Sequence, residues 1–522
     1  MMDGSFLIGS KSETANDTFR AMNPATDKAL DTDFAISTTD HVAEACKLAD
    51  AAFDSFRELD PEERAKFLEA VAEEIEATEG LVERAMAESG LPEARLTGER
   101  GRTCGQLRLF AKLLRQGRWE NVVVDNAMPD RQPLPRADLR QRRIAVGPVA
   151  VFGASNFPLA FSVAGGDTAS AFAAGCPVVC KGHPAHPGTS VLVGKAIQKA
   201  VQKCGLHEGV FSLIQGPANE LGQALVEDPR IKAVGFTGSR GGGLALMKLA
   251  QSRPEPIPVY AEMSAVNPVL LFPEALKARG EALGKAYVGS LTMGSGQFCT
   301  NPGVVLAVDG PDLDAFAQTA ADALAEAQPQ VMLTSAIHAN YDKGVEMLSS
   351  QSDVDTLARG AEGSGCNRGR AALFAASGKT FLANPKLAEE VFGAASIIVK
   401  CADMAELRQV LDQMEGQLTI TFQMDDGDAE AAKAVLPIAE RKAGRILANG
   451  WPTGVEVSYA MVHGGPFPAT SDPRSTSVGT AAIERYLRPV CYQDLPESIL
   501  PKAVKRGNPL GLPRIVDGEV EA

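Results

Sequence analysis

The segment GQFCTNPG, Gly296 to Gly303, contains the strongest candidate for covalent chemistry in this chain. Glycine and proline bound a short loop around Cys299, whereas a cysteine inside a helix or strand is usually packed as a small hydrophobic residue. A thiolate nucleophile needs such access, together with nearby donors. We therefore predict that Cys299 is a nucleophile, with a buried core cysteine as the alternative.

Two polar residues that follow predicted strands have the chemistry to assist a nucleophile. Glu262 ends the apolar run PVYAE, where a carboxylate is rare unless it is paired or functional. It could act as the general base that activates water. Asn156, in SNFP, follows the strand VAVFGA. Its side-chain amide could donate to a developing oxyanion, or it could simply cap a helix.

Further segments have residue types that bind nucleotides. The glycines of GFTGS, Gly235 to Ser239, close a predicted strand and would let backbone N–H groups approach a pyrophosphate. An ordinary strand-to-helix turn explains this motif equally well, and it is not a GxGxxG fingerprint. Lys181 ends the strand PVVCK and could bond a ribose or be a solvated lysine. Glu390, in EVFG, could bind a second ribose or be an exposed carboxylate.

Composition limits the class of protein to which these residues belong. The 522 residues are 45% hydrophobic and 22% charged, which is typical of a globular protein with two or three domains. A net charge of −14 disfavours nucleic acid and anionic membranes as partners. No apolar run approaches the ~20 residues that span a bilayer, and no signal peptide is visible. Nine cysteines and six histidines without zinc spacing predict a reduced, cytoplasmic thiol protein with no structural metal.

Alternating helices and strands must position the candidate residues. Apolar residues at three- and four-residue spacing predict amphipathic helices from about Thr39 to Leu114. From Ile144 onward, short strands alternate with helices rich in small residues, which is typical of an α/β fold with a doubly wound parallel sheet. A second region of this kind starts near Asn267. The predicted units are residues 1–126 with 144–266, residues 267–480, and an arm and tail of residues 127–143 and 481–522.

The order of these segments resembles that of the NAD(P)-dependent aldehyde dehydrogenase superfamily, over nearly the whole chain. The resemblance implies an aldehyde dehydrogenase-like α/β fold with two domains, each a doubly wound parallel sheet, and a small oligomerisation arm. Residues 1–126 with 144–266 would be the cofactor-binding domain, residues 267–480 the catalytic domain, and residues 127–143 with 481–522 the oligomerisation arm and tail. It also implies individual roles: nucleophile for Cys299, general base for Glu262, oxyanion donor for Asn156, ribose binding for Lys181, a phosphate-side turn for Gly235 and Ser239, and a nicotinamide-ribose clamp for Glu390 and Phe392.

The implied reaction is aldehyde oxidation through a thiohemiacetal and a thioester on Cys299. The closing segment, Gly450 to Thr480, together with LRPVCYQDLP, is most similar to the 2-oxoglutarate semialdehyde (2,5-dioxovalerate) dehydrogenases. This implies oxidation of that semialdehyde to 2-oxoglutarate. NADP-dependent dehydrogenases of fatty or other aliphatic aldehydes share much of the pattern and are the alternative. The retained Cys299 and Glu262 argue against a catalytically silent relative, and Glu262 argues against a coenzyme-A-acylating enzyme.

The resemblance does not decide whether the enzyme uses NAD or NADP. NAD-selective members often have a glutamate three residues after the ribose lysine, a position that Pro184 occupies here. Without that carboxylate, a 2′-phosphate meets no like-charge repulsion, and Lys181 and His183 could donate to it. We predict that both cofactors are used, with NADP somewhat favoured.

Substrate residues are expected after SNFP and in the closing segment. Phe157 and Phe161 lie on a predicted helix that continues from SNFP, and together with Phe298 they are expected to line the tunnel through which the substrate reaches Cys299. These apolar residues suit the aliphatic chain of a fatty aldehyde as well as the semialdehyde. A 2-oxo acid needs a cation, for which Arg474 in SDPRSTS is the candidate and His463 a lesser one. Arg474 could equally form a surface ion pair. The arm and tail of the family imply a homodimer or homotetramer.

Overall fold

Two seven-stranded sheets dominate the structure, a computed structural model that describes residues 3–521. Helices cover the faces of both sheets. The α-helices are α1 Thr39–Arg57, α2 Pro61–Glu76, α3 Leu81–Ser89, α4 Glu93–Gln116, α5 Gly166–Ala174, α6 Pro187–Lys203, α7 Asn219–Glu227, α8 Arg240–Gln251, α9 Pro273–Thr292, α10 Pro311–Ala325, α11 Ser335–Ser349, α12 Gly378–Ala383, α13 Met404–Gln413 and α14 Ala429–Lys442. The strands are β1 Phe6–Ile8, β2 Lys11–Glu13, β3 Thr18–Asn23, β4 Lys28–Ala35, β5 Val122–Asp125, β6 Leu139–Ala145, β7 Val149–Phe152, β8 Val178–Lys181, β9 Phe211–Ile214, β10 Ala233–Thr237, β11 Val259–Glu262, β12 Val269–Leu271, β13 Val304–Val308, β14 Gln330–Val331, β15 Asp355–Arg359, β16 Arg368–Gly369, β17 Ala372–Ser377, β18 Ala395–Cys401, β19 Gln417–Gln423, β20 Ala443–Ala448, β21 Leu487–Gln493, β22 Arg514–Val516 and β23 Glu519–Glu521.

The first sheet has the strand order β11-β10-β7-β8-β9-β1-β2. Strands β7 to β11 run parallel, so their carboxyl ends meet at one edge. Lys181 pairs with Phe152 and Glu262 pairs with Thr237, each at the last position of its strand. The prediction that Lys181 and Glu262 lie at the same end of the sheet is therefore confirmed.

The second sheet has the order β15-β17-β18-β13-β12-β19-β20 and is parallel except for β15. Every residue of β19 is buried, and so is nearly every residue of β18, because helices cover both faces. The expected α/β fold with two doubly wound, mainly parallel sheets is confirmed. The predicted helical region is also confirmed, as α1 to α4 run from Thr39 to Gln116.

A separate five-stranded sheet joins the arm to the tail, in the order β21-β6-β5-β22-β23. Strands β6 and β21 pair antiparallel from Leu139↔Gln493 to Ala145↔Leu487. This pairing corrects two predicted boundaries. Strand β6 runs past residue 143 to Ala145, and β5 belongs to this sheet although it lies within residues 1–126. The functions assigned to the domains stay predictions.

The segment after SNFP departs from the predicted helix. Residues 155–165 form turns, and α5 begins only at Gly166. Phe161 N–H donates to the Phe157 carbonyl as in a helix, but Gly166 N–H reaches back to the Ala160 carbonyl at 3.0 Å. A Cβ on Gly165 would lie 2.5 Å from the same carbonyl oxygen, so the backbone folds too tightly for a regular helix. No helix among residues 3–521 is long and apolar enough to cross a bilayer.

Candidate active site

Cys299 lies in the tight connection between α9 and β13. Gly294, Ser295 and Gly296 have positive φ angles of 55°, 59° and 70°, which turn the chain sharply before the cysteine. A Cβ on Gly296 would overlap neighbouring backbone, so only glycine fits there. The side-chain amide of Asn267 donates to the Cys299 carbonyl at 2.9 Å and so fixes the backbone of the loop. The loop therefore fixes Cys299 while its half-buried side chain faces a cavity.

His463 lies between Cys299 and Glu262. Its Nε2 is 3.4 Å from the Cys299 Sγ and 3.0 Å from a Glu262 carboxylate oxygen. The second oxygen of Glu262 accepts a hydrogen bond of 2.6 Å from the Ser477 hydroxyl. His463 is fully buried, and its Nδ1 has no partner among the described residues. This arrangement corrects the prediction for His463, because the ring contacts the nucleophile and does not mark the far end of a substrate.

Burial and charge set the protonation of this cluster. Burial, followed by the negative charges of Glu262 and Glu390, holds the pKa of the Cys299 thiol well above its usual value. Burial acts to raise the pKa of Glu262 as well, but His463 and Ser477 stabilise its carboxylate and bring that pKa below its usual value. The free site therefore contains a thiol beside a carboxylate, and the thiol needs a proton acceptor before it can attack.

Asn156 and the predicted aromatic residues meet on the other side of the Cys299 loop. The Asn156 amide nitrogen donates to the Gln297 carbonyl at 3.2 Å, and Asn156 lines the same cavity as Cys299. The ring of Phe157 makes edge contacts with Phe161 and Phe298, at centroid distances of 5.3 and 5.6 Å. The structure thus brings Asn156 and all three phenylalanines together, although a turn rather than a helix presents them.

Two arginines of α4 contact this aromatic cluster, and both were missed from the sequence. The Arg95 guanidinium lies 4.8 Å from the Phe157 centroid and 4.4 Å from that of Phe298. The Arg102 guanidinium lies 5.8 Å from the Phe161 centroid. The available signal was their seven-residue spacing, which places both on one face of α4 together with the buried Glu99.

A cavity of about 290 Å³ opens beside Cys299 and is lined by three of the six predicted cofactor residues, Ser239, Glu390 and Phe392. It is lined by Asn156, Ser239, Glu262, Glu390 and Phe392, among others. Ser239 caps the N-terminus of α8, where its hydroxyl accepts a hydrogen bond from Gly242 N–H at 3.2 Å. Burial raises the pKa of Glu390 to about 8. A helix N-terminus for phosphate and a carboxylate for ribose hydroxyls form a donor and acceptor set that fits a dinucleotide.

The prediction that Gly235 belongs to the phosphate-side turn is wrong, because this residue lies in the middle of β10. A Cβ at this position would lie 2.6 Å from the Tyr486 hydroxyl and 2.9 Å from the Asp167 carboxyl carbon. The glycine is therefore required by packing on the face of the sheet. The turn itself consists of Gly238 and Ser239.

Lys181 and His183 lie at the carboxyl edge of the first sheet, as predicted. Lys181 Nζ donates to the Gly216 carbonyl at 2.6 Å, and burial lowers its pKa to about 8. His183 Nδ1 accepts from Ala185 N–H, and its ring stacks on His186 with centroids 5.4 Å apart. Burial, with His186 and Lys181, lowers the pKa of His183 well below its usual value. The neutral ring therefore carries its proton on Nε2, where it can donate.

The prediction that Arg474 binds the substrate carboxylate is also wrong. Its side chain is 88% exposed and forms an ion pair of 3.1 Å with Asp472, two residues away. Neither residue lines the cavity beside Cys299. The short loop between them turns the guanidinium to the surface, which matches the alternative of a surface ion pair.

Comparison with known proteins assigns this arrangement to a family. A sequence profile described as "Aldehyde dehydrogenase family" matches residues 11–466. The chain belongs to the aldehyde dehydrogenase family. Its members oxidise aldehydes with NAD(P)+ through a cysteine nucleophile, and this chain is an enzyme of that kind.

Two curated relatives are similar over nearly their whole length. Alpha-ketoglutaric semialdehyde dehydrogenase 2 of Azospirillum brasilense is 55% identical over 524 residues, which cover all of both chains. Alpha-ketoglutaric semialdehyde dehydrogenase of Acinetobacter baylyi is 50% identical over 487 residues, with 93% of this chain and 92% of that protein covered.

Solved structures of lower identity share the fold. Aldehyde dehydrogenase C from Pseudomonas syringae, in complex with NAD+ and octanal, is 20% identical, with a TM-score of 0.79 over 94% of this chain and 96% of that one. Methylmalonate-semialdehyde dehydrogenase from Oceanimonas doudoroffii is 21% identical, with a TM-score of 0.80 over 95% and 99% of the two chains.

Proposed function

We propose that this aldehyde dehydrogenase oxidises 2-oxoglutarate semialdehyde, also called alpha-ketoglutaric semialdehyde, to 2-oxoglutarate. The observation that carries the proposal is the 55% identity to an enzyme named for that substrate, over the full length of both chains. The second relative, at 50% identity, has the same name. The arrangement of Cys299, His463 and Glu262 supplies the chemistry that such an oxidation needs.

In the proposed reaction, the thiol proton leaves Cys299 as its sulfur attacks the aldehyde carbon. His463 Nε2 donates to the Glu262 carboxylate at 3.0 Å, so this nitrogen cannot take the proton, which passes to the Glu262 carboxylate and from there to solvent before hydrolysis. The Asn156 amide lies beside the Cys299 loop and donates to the Gln297 carbonyl. In the reaction, this amide would donate to the thiohemiacetal oxyanion instead. Such a donor contributes about 3–4 kcal/mol to the transition state in acyl-transfer enzymes.

Oxidation and hydrolysis complete the proposed cycle. Lys181, Ser239, Glu390 and Phe392 would hold NAD(P)+, which would supply the hydride acceptor. A thioester on Cys299 then remains, and Glu262 removes a proton from the water that hydrolyses it. Ser477 and His463 bond the carboxylate of Glu262 and hold it in the orientation for this step.

Cofactor selection belongs to the proposal as well. Pro184 provides no carboxylate near Lys181, and the Nε2 of neutral His183 can donate to a phosphate oxygen. We expect both cofactors to support turnover, with a modest preference for NADP. A preference for NAD greater than a hundredfold in kcat/KM would contradict this expectation.

Assembly and location are proposed from the arm and from the cysteines, respectively. The antiparallel pairing of β6 with β21 builds an arm that projects exposed apolar side chains, Met128 and Leu134. We propose that this arm joins copies of the chain into a homodimer or homotetramer. The nine free cysteines suit a reducing, cytoplasmic environment.

Steady-state kinetics with two aldehydes tests the substrate. The wild-type enzyme should have a kcat/KM for 2-oxoglutarate semialdehyde at least tenfold above that for octanal. Both aldehydes reach the same nucleophile, so their ratio reports recognition of the 2-oxo acid. A preference for octanal would replace the proposal with the alternative of an aliphatic-aldehyde dehydrogenase.

A further inference from the structure

Three side chains that can bind a metal ion converge at the candidate active site: Glu262, Cys299 and His463. Their ligand atoms all lie within 4.8 Å of one another. His463 Nε2 is 3.4 Å from the Cys299 sulfur and 3.0 Å from a Glu262 carboxylate oxygen. Among residues 3–521, no other group of three or more histidine, cysteine, aspartate or glutamate side chains converges in this way.

The spacing of these atoms fits a zinc ion. Tetrahedral Zn²⁺ holds sulfur at about 2.3 Å and nitrogen or oxygen at about 2.0–2.1 Å. Two ligand atoms of such a site are about 3.3 Å apart when they are nitrogen and oxygen, and about 3.6 Å apart when they are sulfur and nitrogen. The two distances in the structure are shorter by only about 0.2–0.3 Å, so an ion needs only small movements of the side chains.

The ligands are held in position by contacts that a metal would leave intact. Glu262 ends β11, and its second carboxylate oxygen accepts a hydrogen bond of 2.6 Å from the Ser477 hydroxyl. The first oxygen stays available to an ion. The backbone N–H of His463 donates to the Thr476 hydroxyl at 2.8 Å. Preorganised ligands lose little conformational freedom when an ion binds, which favours binding.

The donor chemistry selects the kind of ion. A thiolate, an imidazole and a carboxylate suit Zn²⁺ and the related thiophilic ion Cd²⁺, whereas Mg²⁺ and Ca²⁺ prefer oxygen ligands alone. Three protein ligands leave a fourth position for water. Glu262 and Cys299 line the cavity beside the cluster, which gives an ion a path from solvent. Glu390 lines the same cavity and adds a further acidic group.

Two features limit the affinity of the cluster. In the free site His463 donates its Nε2 proton to Glu262, so metal binding at Nε2 places the proton on Nδ1. Nδ1 is buried and has no partner among the described residues. The lack of such an outer partner typically costs a metal site about ten- to hundredfold in affinity. The positive charge of Arg102, which acts on Cys299, also opposes a cation. We therefore expect a reversible site and not a structural one.

We propose that one Zn²⁺ ion binds Cys299, His463 and Glu262 and reversibly inhibits the enzyme. The thiol proton passes to solvent as the sulfur binds the ion. The bound sulfur then cannot attack an aldehyde, and the bound carboxylate cannot remove a proton from water. This inference goes beyond the proposed function, because it does not depend on which aldehyde the enzyme oxidises.

Inhibition kinetics test the site in the full-length enzyme. Pentanal is the substrate, because it has no carboxylate that could chelate the metal, and the free Zn²⁺ concentration is buffered. Zn²⁺ should inhibit in the micromolar range with one ion per active site, and EDTA should restore the rate. Because the ion and the aldehyde need the same sulfur, the apparent KM for pentanal should rise while kcat stays constant. Millimolar Mg²⁺ should have no effect.

Variants identify the ligands. His463→Gln, which has a similar volume but no imidazole, should raise the inhibition constant for Zn²⁺ more than about a hundredfold, beyond the loss of an outer partner alone. The matched control replaces the two exposed cysteines, as Cys366→Ser with Cys491→Ser, and should be inhibited like wild type.

Binding of Cd²⁺ gives a readout that needs no activity. In the Cys366→Ser and Cys491→Ser background, Cd²⁺ should produce one thiolate charge-transfer band per active site in the ultraviolet. Cys299→Ser should abolish this band, and His463→Gln should require a much higher Cd²⁺ concentration to produce it.

Three results would overturn the metal site. These are an absence of inhibition by Zn²⁺, equal Zn²⁺ and Cd²⁺ constants in wild type and His463→Gln, and a Cd²⁺ band that survives Cys299→Ser. A wild type that fails to oxidise 2-oxoglutarate semialdehyde would instead overturn the proposed substrate, and the metal measurements with pentanal would be unaffected.

Discussion

Cys299 is the proposed nucleophile, and its neighbours oppose its ionisation. Glu262 and Glu390 are the nearest acidic groups, and the sulfur lies within a mostly buried site. Enzymes that hold a standing thiolate surround it with cations or a helix N-terminus instead. The arrangement here favours a protonated thiol that gives up its proton only as the aldehyde arrives, which protects the sulfur from adventitious oxidation between turnovers.

Alkylation of the free enzyme tests this account of the thiol. Because the pKa of Cys299 is raised, its reaction with iodoacetamide should be slow at pH 7 and still increase above pH 9. Glu262→Gln removes a negative charge, lowers that pKa, and should shift the profile to lower pH by about one unit or more. Mass spectrometry of the Cys299 peptide measures the rate, and the exposed Cys366 and Cys491 are internal controls whose profiles should not change. An identical Cys299 profile in both proteins would contradict the effect of Glu262.

Sequence patterns predicted the positions of functional residues at strand ends far better than the positions of residues in irregular segments. Lys181 and Glu262 were predictable because an apolar run that stops at a charged residue fixes both the strand and its end. The position of His463 was not predictable, because it depends on how residues 450–480, with little regular structure, fold back over β11. Arg474 was misassigned for the same reason, since no periodicity in that segment indicates which side chains face the cavity.

Helix α4 is the element that supports the substrate side of the site. The buried Glu99 carboxylate accepts hydrogen bonds from Leu159 and Ala160 N–H, at 2.9 and 3.0 Å, and so holds the turn that follows Asn156. Arg95 lies one turn away and bonds the Asn156 carbonyl. The turn after Asn156 does not provide backbone acceptors for the N–H groups of Leu159 and Ala160, so Glu99 of α4 provides them.

Removal of the Glu99 side chain tests this support. Glu99→Ala leaves two buried N–H groups without acceptors and should lower the free energy of unfolding by about 2 kcal/mol or more. It should also lower kcat with every aldehyde, because Asn156 loses its position. Urea denaturation and steady-state kinetics measure the two effects. The exposed Glu93 in the first turn of the same helix is the control, and Glu93→Ala should cost less than about 1 kcal/mol. Equal effects of the two substitutions would contradict the role of Glu99.

At the scale of the whole molecule, the candidate active site lies where the two main sheets meet. The carboxyl edge of the first sheet provides Glu262, and the loop before β13 of the second provides Cys299. This general arrangement was predictable, since alternating strands and helices fix parallel sheets and their ligand-binding edges. The boundaries of the arm were not, because β5 and β6 pair with strands from the end of the chain, and short local patterns contain no signal of such distant partners.

The arm offers a test of assembly. Leu134 at its tip is 68% exposed, a large apolar surface for a monomer to present. Leu134→Asp should therefore weaken association and shift the mass measured by light scattering after size exclusion toward smaller species. Leu134→Met, which keeps an apolar side chain, should behave like wild type. A wild-type monomer at micromolar concentration, or an unchanged oligomer in Leu134→Asp, would contradict the proposed role of the arm.

The division of labour between Cys299 and Glu262 is the central claim, and single-turnover kinetics of Glu262→Gln tests it most directly. Mixed with NADP+ and 2-oxoglutarate semialdehyde, this variant should release one NADPH per active site in a rapid phase and then turn over slowly, because thioester formation survives and hydrolysis does not. Intact-mass analysis should find one 2-oxoglutaryl group on Cys299, and Cys299→Ala should show neither burst nor adduct. Steady turnover of Glu262→Gln at the wild-type rate, without an acylated Cys299, would contradict the account.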